Sequence, residues 1–313
     1  MKIIFFGSSD FALPSLERIC KAEEVSLVVT QPDRKKGRSL KVAPTPIKES
    51  AQHLGIKVFQ PEDVNLPEAI EYLKGFKSDI FIVVSFGQIL KKDVLDIPRL
   101  YSVNIHSSLL PKYRGAAPMN WAIANGDTET GVTIIKMNEK MDEGDMLLKE
   151  RIPMTPLEDA IDLSKKLSKA ASQLIMDAIE NIKDSSVVFE KQDSSLATYA
   201  PKLKKEDGLI DWKWASAKIY NRARAFLPWP GCFTVWNGKI LKVWNPETVD
   251  TGSKYSGAKP GTILEIAKDR MVVAGGESTS IAIKELQVEG SRRMSVDEFV
   301  RGHRDLEVGV VLG

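Results

Sequence analysis

The chain has 313 residues, of which 43% are hydrophobic and 27% charged, which is typical of a globular protein with room for more than one average domain. Its formal net charge is +2, so a surface for nucleic acid has to come from a local cluster of cations. The two cysteines and three histidines lie far apart in the sequence and no apolar run reaches about 18 residues, so we expect no disulfide framework, no metal site and no membrane segment.

The first half of the chain alternates short apolar runs with helical patterns. The runs that predict buried strands are Lys2–Phe6, Val25–Thr30, Lys57–Phe59, Ile80–Val84 and Ser102–His106. The first of them is too short for the core of a signal peptide, so we expect a cytoplasmic protein. Between the second and third runs, Thr45 and Pro46 have the pattern of a helix N-cap and first helical position, with Gly55 near the predicted stop. This alternation predicts an α/β fold with a doubly wound, mostly parallel, Rossmann-like sheet, whose ligands bind at the carboxyl ends of the strands.

The second half changes character after one long helix. Strands at Gly131–Lys136 and Met146–Ile152 precede a helical pattern from about Leu157 to Ile182. The polar stretch that follows predicts a linker, so we expect a catalytic domain over residues 1–183, a linker over 184–208 and a second domain over 209–313. Asn237-Gly238 predicts a tight hairpin because both positions favour positive φ. The further signals in this domain are strands near Gly261–Ile266, Arg270–Ala274 and Ser280–Val288 and a capping box of Ser295 with Glu298. They predict a small, OB-like β-barrel.

Asn104 and His106 form the strongest candidate for chemistry. They lie two apart on a predicted strand, so their side chains leave the same face near the carboxyl edge of the sheet. An amide can stabilise an oxyanion while a neighbouring imidazole moves protons or steadies charge, which suits acyl transfer. Asp142, in Met141-Asp-Glu-Gly-Asp145, is a candidate to orient His106, although spacing alone does not bring the two together.

Three motifs of this sequence closely resemble those of the folate-dependent formyltransferases. They are Asn104-Ile-His-Ser-Ser-Leu-Leu-Pro111, Arg114-Gly-Ala-Ala-Pro118 and Met141-Asp-Glu-Gly-Asp145. The resemblance implies a catalytic set of Asn104, His106 and Asp142, direct formyl transfer without a covalent enzyme intermediate, 10-formyltetrahydrofolate as the donor, and no metal.

The resemblance also implies where the reduced folate binds. Ser108, Leu109, Leu110 and Pro111 match the part of the family motif that contacts the folate. The segment Val84-Ser-Phe-Gly-Gln-Ile-Leu90 resembles the lining of the pterin pocket, which implies contacts from Phe86, Gly87, Gln88, Ile89 and Leu90.

A basic segment after the second predicted strand bears on the acceptor amine. Its cations are Arg34, Lys35, Lys36, Arg38 and Lys41, and such a cluster can hold the phosphates of an acceptor stem. Gly37-Arg38 resembles the loop with which the members that formylate initiator methionyl-tRNA recognise the acceptor end, and this implies that Arg38 is the principal contact. The similarity continues through Arg224-Ala-Phe-Leu-Pro-Trp-Pro-Gly231, in a region that those members use as an OB-type barrel facing tRNA. We therefore expect initiator methionyl-tRNA as the partner and a monomer as the state.

Several alternatives remain open from the sequence. A formyltransferase that acts on a sugar-nucleotide amine would keep the same three residues, but the basic segment argues against it. A glycinamide ribonucleotide transformylase would not need the last hundred residues, and a folate hydrolase is a further variation on the site. A non-catalytic RNA-binding relative is opposed by the intact Asn104, His106 and Asp142. A dinucleotide-dependent oxidoreductase is disfavoured because the first strand leads into Gly7-Ser-Ser-Asp10 rather than a G-x-G-x-x-G turn.

Overall fold

The computed structural model describes residues 1–36 and 41–313, and these form two compact units. The first unit contains residues 1–118, 129–154 and 162–200, and the second contains 119–128, 155–161 and 201–313. Residues 184–200, which fall in the predicted linker, belong by their contacts to the first unit, where Tyr199–Ala200 pairs with Arg114–Gly115. The domain boundaries at 183 and 208 stay a prediction.

The first unit contains the seven predicted strands in the predicted order, together with four strands of two or three residues that were not predicted. They are β1 (Lys2–Gly7), β2 (Glu24–Val29), β3 (Arg34–Lys36), β4 (Lys41–Ala43), β5 (Val58–Phe59), β6 (Ile80–Val84), β7 (Tyr101–His106), β8 (Arg114–Gly115), β9 (Glu129–Lys136), β10 (Met146–Pro153) and β11 (Tyr199–Ala200). The helices up to residue 183 are α1 (Leu13–Ala22), α2 (Pro46–His53), α3 (Pro67–Lys74), α4 (Lys92–Leu95), α5 (Pro118–Ala124) and α6 (Ala160–Lys183).

In the described part of the chain, seven of these strands form one sheet in the order β10-β9-β7-β6-β1-β2-β5. Pairing is parallel from β5 through β7, whereas β9 runs antiparallel to both β7 and β10. The chain leaves β1 toward β2 on one side and later returns to β6 on the other. The strand order therefore reverses at β1, and ligands of doubly wound sheets bind at the carboxyl ends of the strands beside such a point.

The sheet is buried on both faces, which explains its continuous apolar strands. Successive residues of β1, from Ile3 to Phe6, are all fully buried although they point to alternate faces. One face packs with β2, β6 and α3 through Phe6, Leu27, Phe81 and Leu73. The fold class predicted for this half of the chain is confirmed.

Two helix boundaries show how local side chains set the elements. Thr45 accepts a hydrogen bond from the Lys48 amide at 3.1 Å and Pro46 begins α2, as predicted. Helix α6 begins at Ala160 rather than near Leu157, because Asp159 accepts the Ile161 amide at 2.8 Å and caps the helix there. From Leu163 to Ile179 its buried residues recur every three or four positions, so one stripe faces the core.

The second unit is built mainly from antiparallel strands. Its elements are α7 (Ser216–Ala225), β12 (Cys232–Trp236), β13 (Lys239–Val249), β14 (Ile263–Ile266), β15 (Met271–Ala274), β16 (Ser280–Val288), β17 (Met294–Ser295) and α8 (Val296–Gly302). The strands pair in the order β12-β13-β16-β15-β14, with β17 on β16. Asn237 and Gly238 both have positive φ, at 49° and 72°, so the predicted hairpin is confirmed. Ser295 caps α8 as predicted, whereas the Glu298 side chain pairs with Arg292.

Within residues 1–36 and 41–313, every helix is either too short or too polar to cross a lipid bilayer.

Candidate active site

Asn104 and His106 lie at the carboxyl end of β7, between β6 and β9. Asn104 is opposite Val83 of β6, and His106 is opposite Thr133 of β9. Because the two residues are two apart on a strand, their side chains share one face of the sheet. His106 is only 5% exposed, so its ring is held by protein groups rather than by solvent.

The loop between β9 and β10, residues 137–145, brings Asp142 to this pair. Asp142 Oδ1 lies 3.2 Å from the Asn104 amide nitrogen, which donates a hydrogen bond to it, and 3.6 Å from His106 Nδ1. Asp142 Oδ2 accepts the Gly115 backbone amide at 2.9 Å. The structure therefore brings Asp142 to Asn104 and His106, although Asp142 lies 38 residues after Asn104 in the chain.

The tautomer of His106 follows from its second ring nitrogen. Nε2 lies 2.9 Å from the Tyr113 carbonyl oxygen. A carbonyl oxygen only accepts, so Nε2 carries a hydrogen and donates it. Nδ1 is thereby left facing the Asp142 carboxylate.

The 137–145 loop approaches β9 so closely that one position has room only for glycine. A Cβ on Gly144 would lie 1.8 Å from the Lys136 carbonyl oxygen, well inside the distance that real contacts allow. Asp142 itself has φ of 55°, in the left-handed region that non-glycine residues seldom adopt. Gly144 and the strand behind it thus fix where the Asp142 carboxylate can lie.

A cavity of about 490 Å³ opens in front of these side chains. It is lined by residues 83, 85–90, 104–107, 115, 116, 118 and 137–142. This volume lies in the range of small-molecule sites, and the cavity combines apolar walls with convergent polar groups. Its place at the carboxyl ends of β6 and β7 is where this type of sheet binds ligands.

A second cavity, of about 590 Å³, lies between α1 and α2. Its polar lining includes Glu17, Lys21, Glu49 and His53, which are surface residues of the two helices. We take the cavity at β6 and β7 as the candidate site because Asn104, His106 and Asp142 all line it.

The predicted pterin segment lies at this cavity, but its side chains differ in role. Phe86 and Leu90 are almost fully buried in the core beneath it, while Ile89 is 63% exposed. The Gln88 side chain is occupied elsewhere: its Oε1 accepts the Val64 amide at 2.8 Å, and its Nε2 lies 3.2 Å from two carbonyl oxygens of residues 61–62. Gln88 therefore holds the loop of residues 85–90 in place, and all six residues of this loop line the cavity.

The other predicted folate contacts do not reach this cavity. The described residues that line the cavity do not include Ser108, Leu109, Leu110 or Pro111. Ser108 is fully buried and donates to the Lys112 carbonyl oxygen at 2.6 Å, and Leu110 packs against Ile135 and Met146. These residues shape the turn after β7, and their contact with folate stays a prediction.

The basic segment is described in part. Strands β3 and β4 pair antiparallel, and Arg34 is exposed. Arg38, the predicted principal contact, lies outside the described residues. Just before the segment, Asp33 is tied to Lys48 at 2.6 Å and to Gln60 at 2.7 Å, and these hydrogen bonds lower the pKa of its carboxyl group. This ionised anchor holds the start of the segment beside α2 and β5.

Two polar residues that contact the 137–145 loop, Arg114 and Gln192, were not among the predicted site residues. Arg114 is only 2% exposed, and Gln192 bonds both Arg114 and the backbone of the loop. Arg114 stood in a recognised motif, which was a usable signal, whereas Gln192 lies in a polar stretch that reads as linker. Among the described residues, no group of three or more His, Cys, Asp or Glu side chains has the arrangement of a metal site.

Comparison with known proteins identifies two matching family models and close relatives. Residues 1–179 match the model described as formyl transferase, and residues 202–304 match the model described as formyl transferase, C-terminal domain. A methionyl-tRNA formyltransferase of Geobacter metallireducens is 46% identical, in an alignment that covers 100% of this chain and 99% of that protein. One of Bacillus subtilis is 41% identical and covers 100% of this chain and 98% of that protein.

Solved structures share the fold at lower identity. An N-formyltransferase from Helicobacter canadensis, in complex with folinic acid and dTDP-3-aminofucose, has a TM-score of 0.66 at 21% identity and covers 90% of this chain and 98% of that one. A sugar 3N-formyl transferase, determined with dTDP and 5-N-formyl-THF, has a TM-score of 0.67 at 21% identity and covers 93% of this chain and 99% of that one. At 21% identity the similarity shows a shared fold.

Proposed function

The chain belongs to the formyl transferase family, and from this we propose that it transfers the formyl group of 10-formyltetrahydrofolate to the α-amino group of methionine on initiator tRNA. The product is formylmethionyl-tRNA for translation initiation. Full-length similarity to relatives named methionyl-tRNA formyltransferase supports this acceptor. The observation that carries the chemistry is the convergence of Asn104, His106 and Asp142 on one cavity.

In the proposed reaction the lone pair of the neutral amine forms a bond to the formyl carbon. The carbonyl electrons move to oxygen and give a tetrahedral oxyanion. When this intermediate collapses, the bond from carbon to the folate nitrogen breaks with its electron pair on that nitrogen. The surplus proton of the amine passes to the departing nitrogen, so atoms and charge balance.

Asn104 and His106 hold the oxyanion in this proposal. The Asn104 amide donates a hydrogen bond, and His106, whose Nε2 hydrogen is engaged by Tyr113, donates from Nδ1 in its imidazolium form. The Asp142 carboxylate, 3.6 Å from Nδ1, interacts favourably with that charge and assists the proton transfer. A donor placed at an oxyanion contributes about 3–4 kcal/mol, or about 10²–10³ in rate.

In this proposal the formyl donor and the tRNA acceptor bind to different parts of the chain. The cavity beside residues 85–90 suits a reduced folate, because apolar walls and backbone groups together match a flat, hydrogen-bonding ring. The structure of the Helicobacter canadensis protein with folinic acid supports a folate ligand for this fold. Arg38, with Arg34, Lys35, Lys36 and Lys41, holds phosphates of the tRNA acceptor end. We propose that the protein works as a monomer in the cytoplasm.

The decisive experiment offers two acceptors to the purified protein. It is incubated with 10-formyltetrahydrofolate and either methionine-charged initiator tRNA or a sugar-nucleotide amine, and formylated product is measured. We expect formylation of the tRNA alone, its loss in His106→Ala and its retention in His53→Ala, because His53 lies on the exposed face of α2. Formylation of the sugar amine instead would overturn the acceptor and keep the site. No product with either acceptor would reject the proposal.

A further inference from the structure

The chain returns to the candidate site after α6, and this return segment (residues 190–200) carries Gln192. Its amide nitrogen donates to the Asp142 carbonyl oxygen and to the Gly144 carbonyl oxygen, both at 2.7 Å. Both acceptors belong to the 137–145 loop that presents the Asp142 carboxylate. A single side chain therefore binds the loop on either side of Glu143.

The orientation of the Gln192 amide is fixed by Arg114. The Arg114 guanidinium donates to Gln192 Oε1 from Nε at 3.0 Å and from Nη2 at 2.9 Å. A guanidinium only donates and a carbonyl oxygen only accepts. In a flipped amide the NH2 group would face the guanidinium donors and the amide oxygen would face the two carbonyl oxygens, so no hydrogen bond would form. Every polar atom of the Gln192 amide thus has a partner in the orientation observed.

Arg114 is the rigid base of this arrangement. It is 2% exposed, and its remaining guanidinium nitrogen lies 3.4 Å from a carboxylate oxygen of Glu143, in the same loop. A buried guanidinium is stable only when its charge is paired and its donors are bound. The loop and Arg114 therefore stabilise each other, with Gln192 bridging them.

The return segment also holds the turn on the other side of the site. The Arg114 amide donates to the Thr198 carbonyl oxygen at 2.8 Å, and the Thr198 hydroxyl accepts the Tyr113 amide at 2.8 Å. The same turn supplies the Tyr113 carbonyl oxygen to His106 and the Gly115 amide to Asp142. Residues 190–200 thus connect to both partners of the His106–Asp142 pair.

We propose that Gln192 is a positioning residue for formyl transfer, which holds the backbone at Asp142 so that its carboxylate faces Asn104 and His106. The inference rests on the proposed function for its effect on turnover. Its structural part stands separately: the loop backbone needs the Gln192 donor, and Arg114 orients that donor. A displacement of a catalytic group by about 1 Å can lower the rate by about 100-fold.

Two substitutions separate the two halves of the Gln192 amide. Gln192→Glu keeps an acceptor for the Arg114 guanidinium, with which it can form a bidentate pair, but it presents oxygen to the carbonyl oxygens of Asp142 and Gly144. Gln192→Leu removes both halves. Gln173→Leu is the matched control, because Gln173 is an exposed residue of α6 whose contacts are with Arg18 and Asp177.

For Gln192→Glu we expect kcat to fall by about 10- to 100-fold while KM for methionyl-tRNA stays within about two-fold of wild type. Its melting temperature should fall less than that of Gln192→Leu because the guanidinium stays paired. Hydrogen exchange measured by mass spectrometry should rise in peptides that cover residues 138–145 and at the Gly115 amide, and remain unchanged in β1 and β2. Gln173→Leu should change none of these quantities.

Wild-type kcat and unchanged exchange in Gln192→Glu would overturn the proposal, because the donor would then be dispensable. A second result would also overturn the proposal: kcat and melting temperature both fall in Gln192→Leu, but both stay at wild-type values in Gln192→Glu. Gln192 would then only stabilise the fold. If wild-type protein formylates neither acceptor, the proposed function fails. Hydrogen exchange in the 138–145 peptides still decides whether Gln192 holds the loop.

Discussion

The candidate active site and the basic segment both belong to the first unit, but they differ in the burial of their charged side chains. At the site, Arg114 and His106 are buried, and protein groups hold both the Arg114 guanidinium and the Nε2 atom of His106. In the basic segment Arg34 is exposed to solvent. Bond formation needs groups held to a fraction of an ångström, whereas attraction of a polyanion needs cations free to meet phosphates. Substitutions at the site should therefore act on turnover, and substitutions in the segment on tRNA affinity.

The largest effect should come from Asn104→Ala. Loss of one oxyanion donor is expected to lower kcat by about 10²–10³, with KM for methionyl-tRNA little changed. Steady-state kinetics with varied tRNA measures both quantities. Asn181→Ala, on α6, is the control and should behave as wild type. Turnover within a few-fold of wild type would remove Asn104 from the catalytic set. It would also contradict the expectation that substitutions at the site act on turnover.

Gly144→Ala should have the next largest effect, because it disturbs the loop without removing a catalytic group. The new Cβ would lie 1.8 Å from the Lys136 carbonyl oxygen, so the loop or β9 must move. We expect a loss of about 1–3 kcal/mol in the free energy of unfolding, together with a fall in kcat. Urea unfolding and kinetics test this against Gly302→Ala, whose Cβ would meet no atom within 4 Å. Normal kcat in Gly144→Ala would mean that the loop tolerates displacement.

Substitution in the basic segment should give smaller, salt-dependent effects. Arg34→Ala and Arg38→Ala are each expected to weaken tRNA binding and to lower the slope of log affinity against log salt by about one, with kcat at saturating tRNA unchanged. Binding titrations at several salt concentrations measure the slope. Arg151→Ala is the control because its charge is already paired with Glu129 at 2.5 Å. A flat salt response in wild type would show that phosphates are not held here.

The smallest effect is expected at the two thiols. Burial raises the pKa of Cys20 to about 11 and that of Cys232 to about 12, so both are protonated at pH 7. Iodoacetamide at pH 7 should therefore leave both unlabelled and the activity intact, whereas the same treatment in denaturant should label both. Mass spectrometry reads the labelling. Rapid alkylation of the native protein with loss of activity would require a reactive thiol that the chemistry above does not use.

The elements that depend on neighbouring residues could be predicted from the sequence alone. Period and apolar runs predicted the strands from Lys2 to His106, because strands buried on both faces must be continuously apolar. Thr45-Pro46 and Asn237-Gly238 predicted a cap and a turn, because each depends on the conformation of one or two residues. Asn104 and His106 were predicted to share a face because alternation along a strand is strict.

Which distant groups meet depends on the tertiary structure. It brought Asp142 to His106, directed the Gln88 amide toward residues 61–64, and buried the side chains of Ser108 and Leu110 in the turn after β7. It also placed Gln192, which lies in the predicted polar linker, against the 137–145 loop. These contacts depend on the directions of loops that cross the sheet edge and on the pairing of a buried guanidinium. No periodicity of the sequence encodes either of them, because hydrogen bonds between distant segments follow from how the sheet brings its loops together.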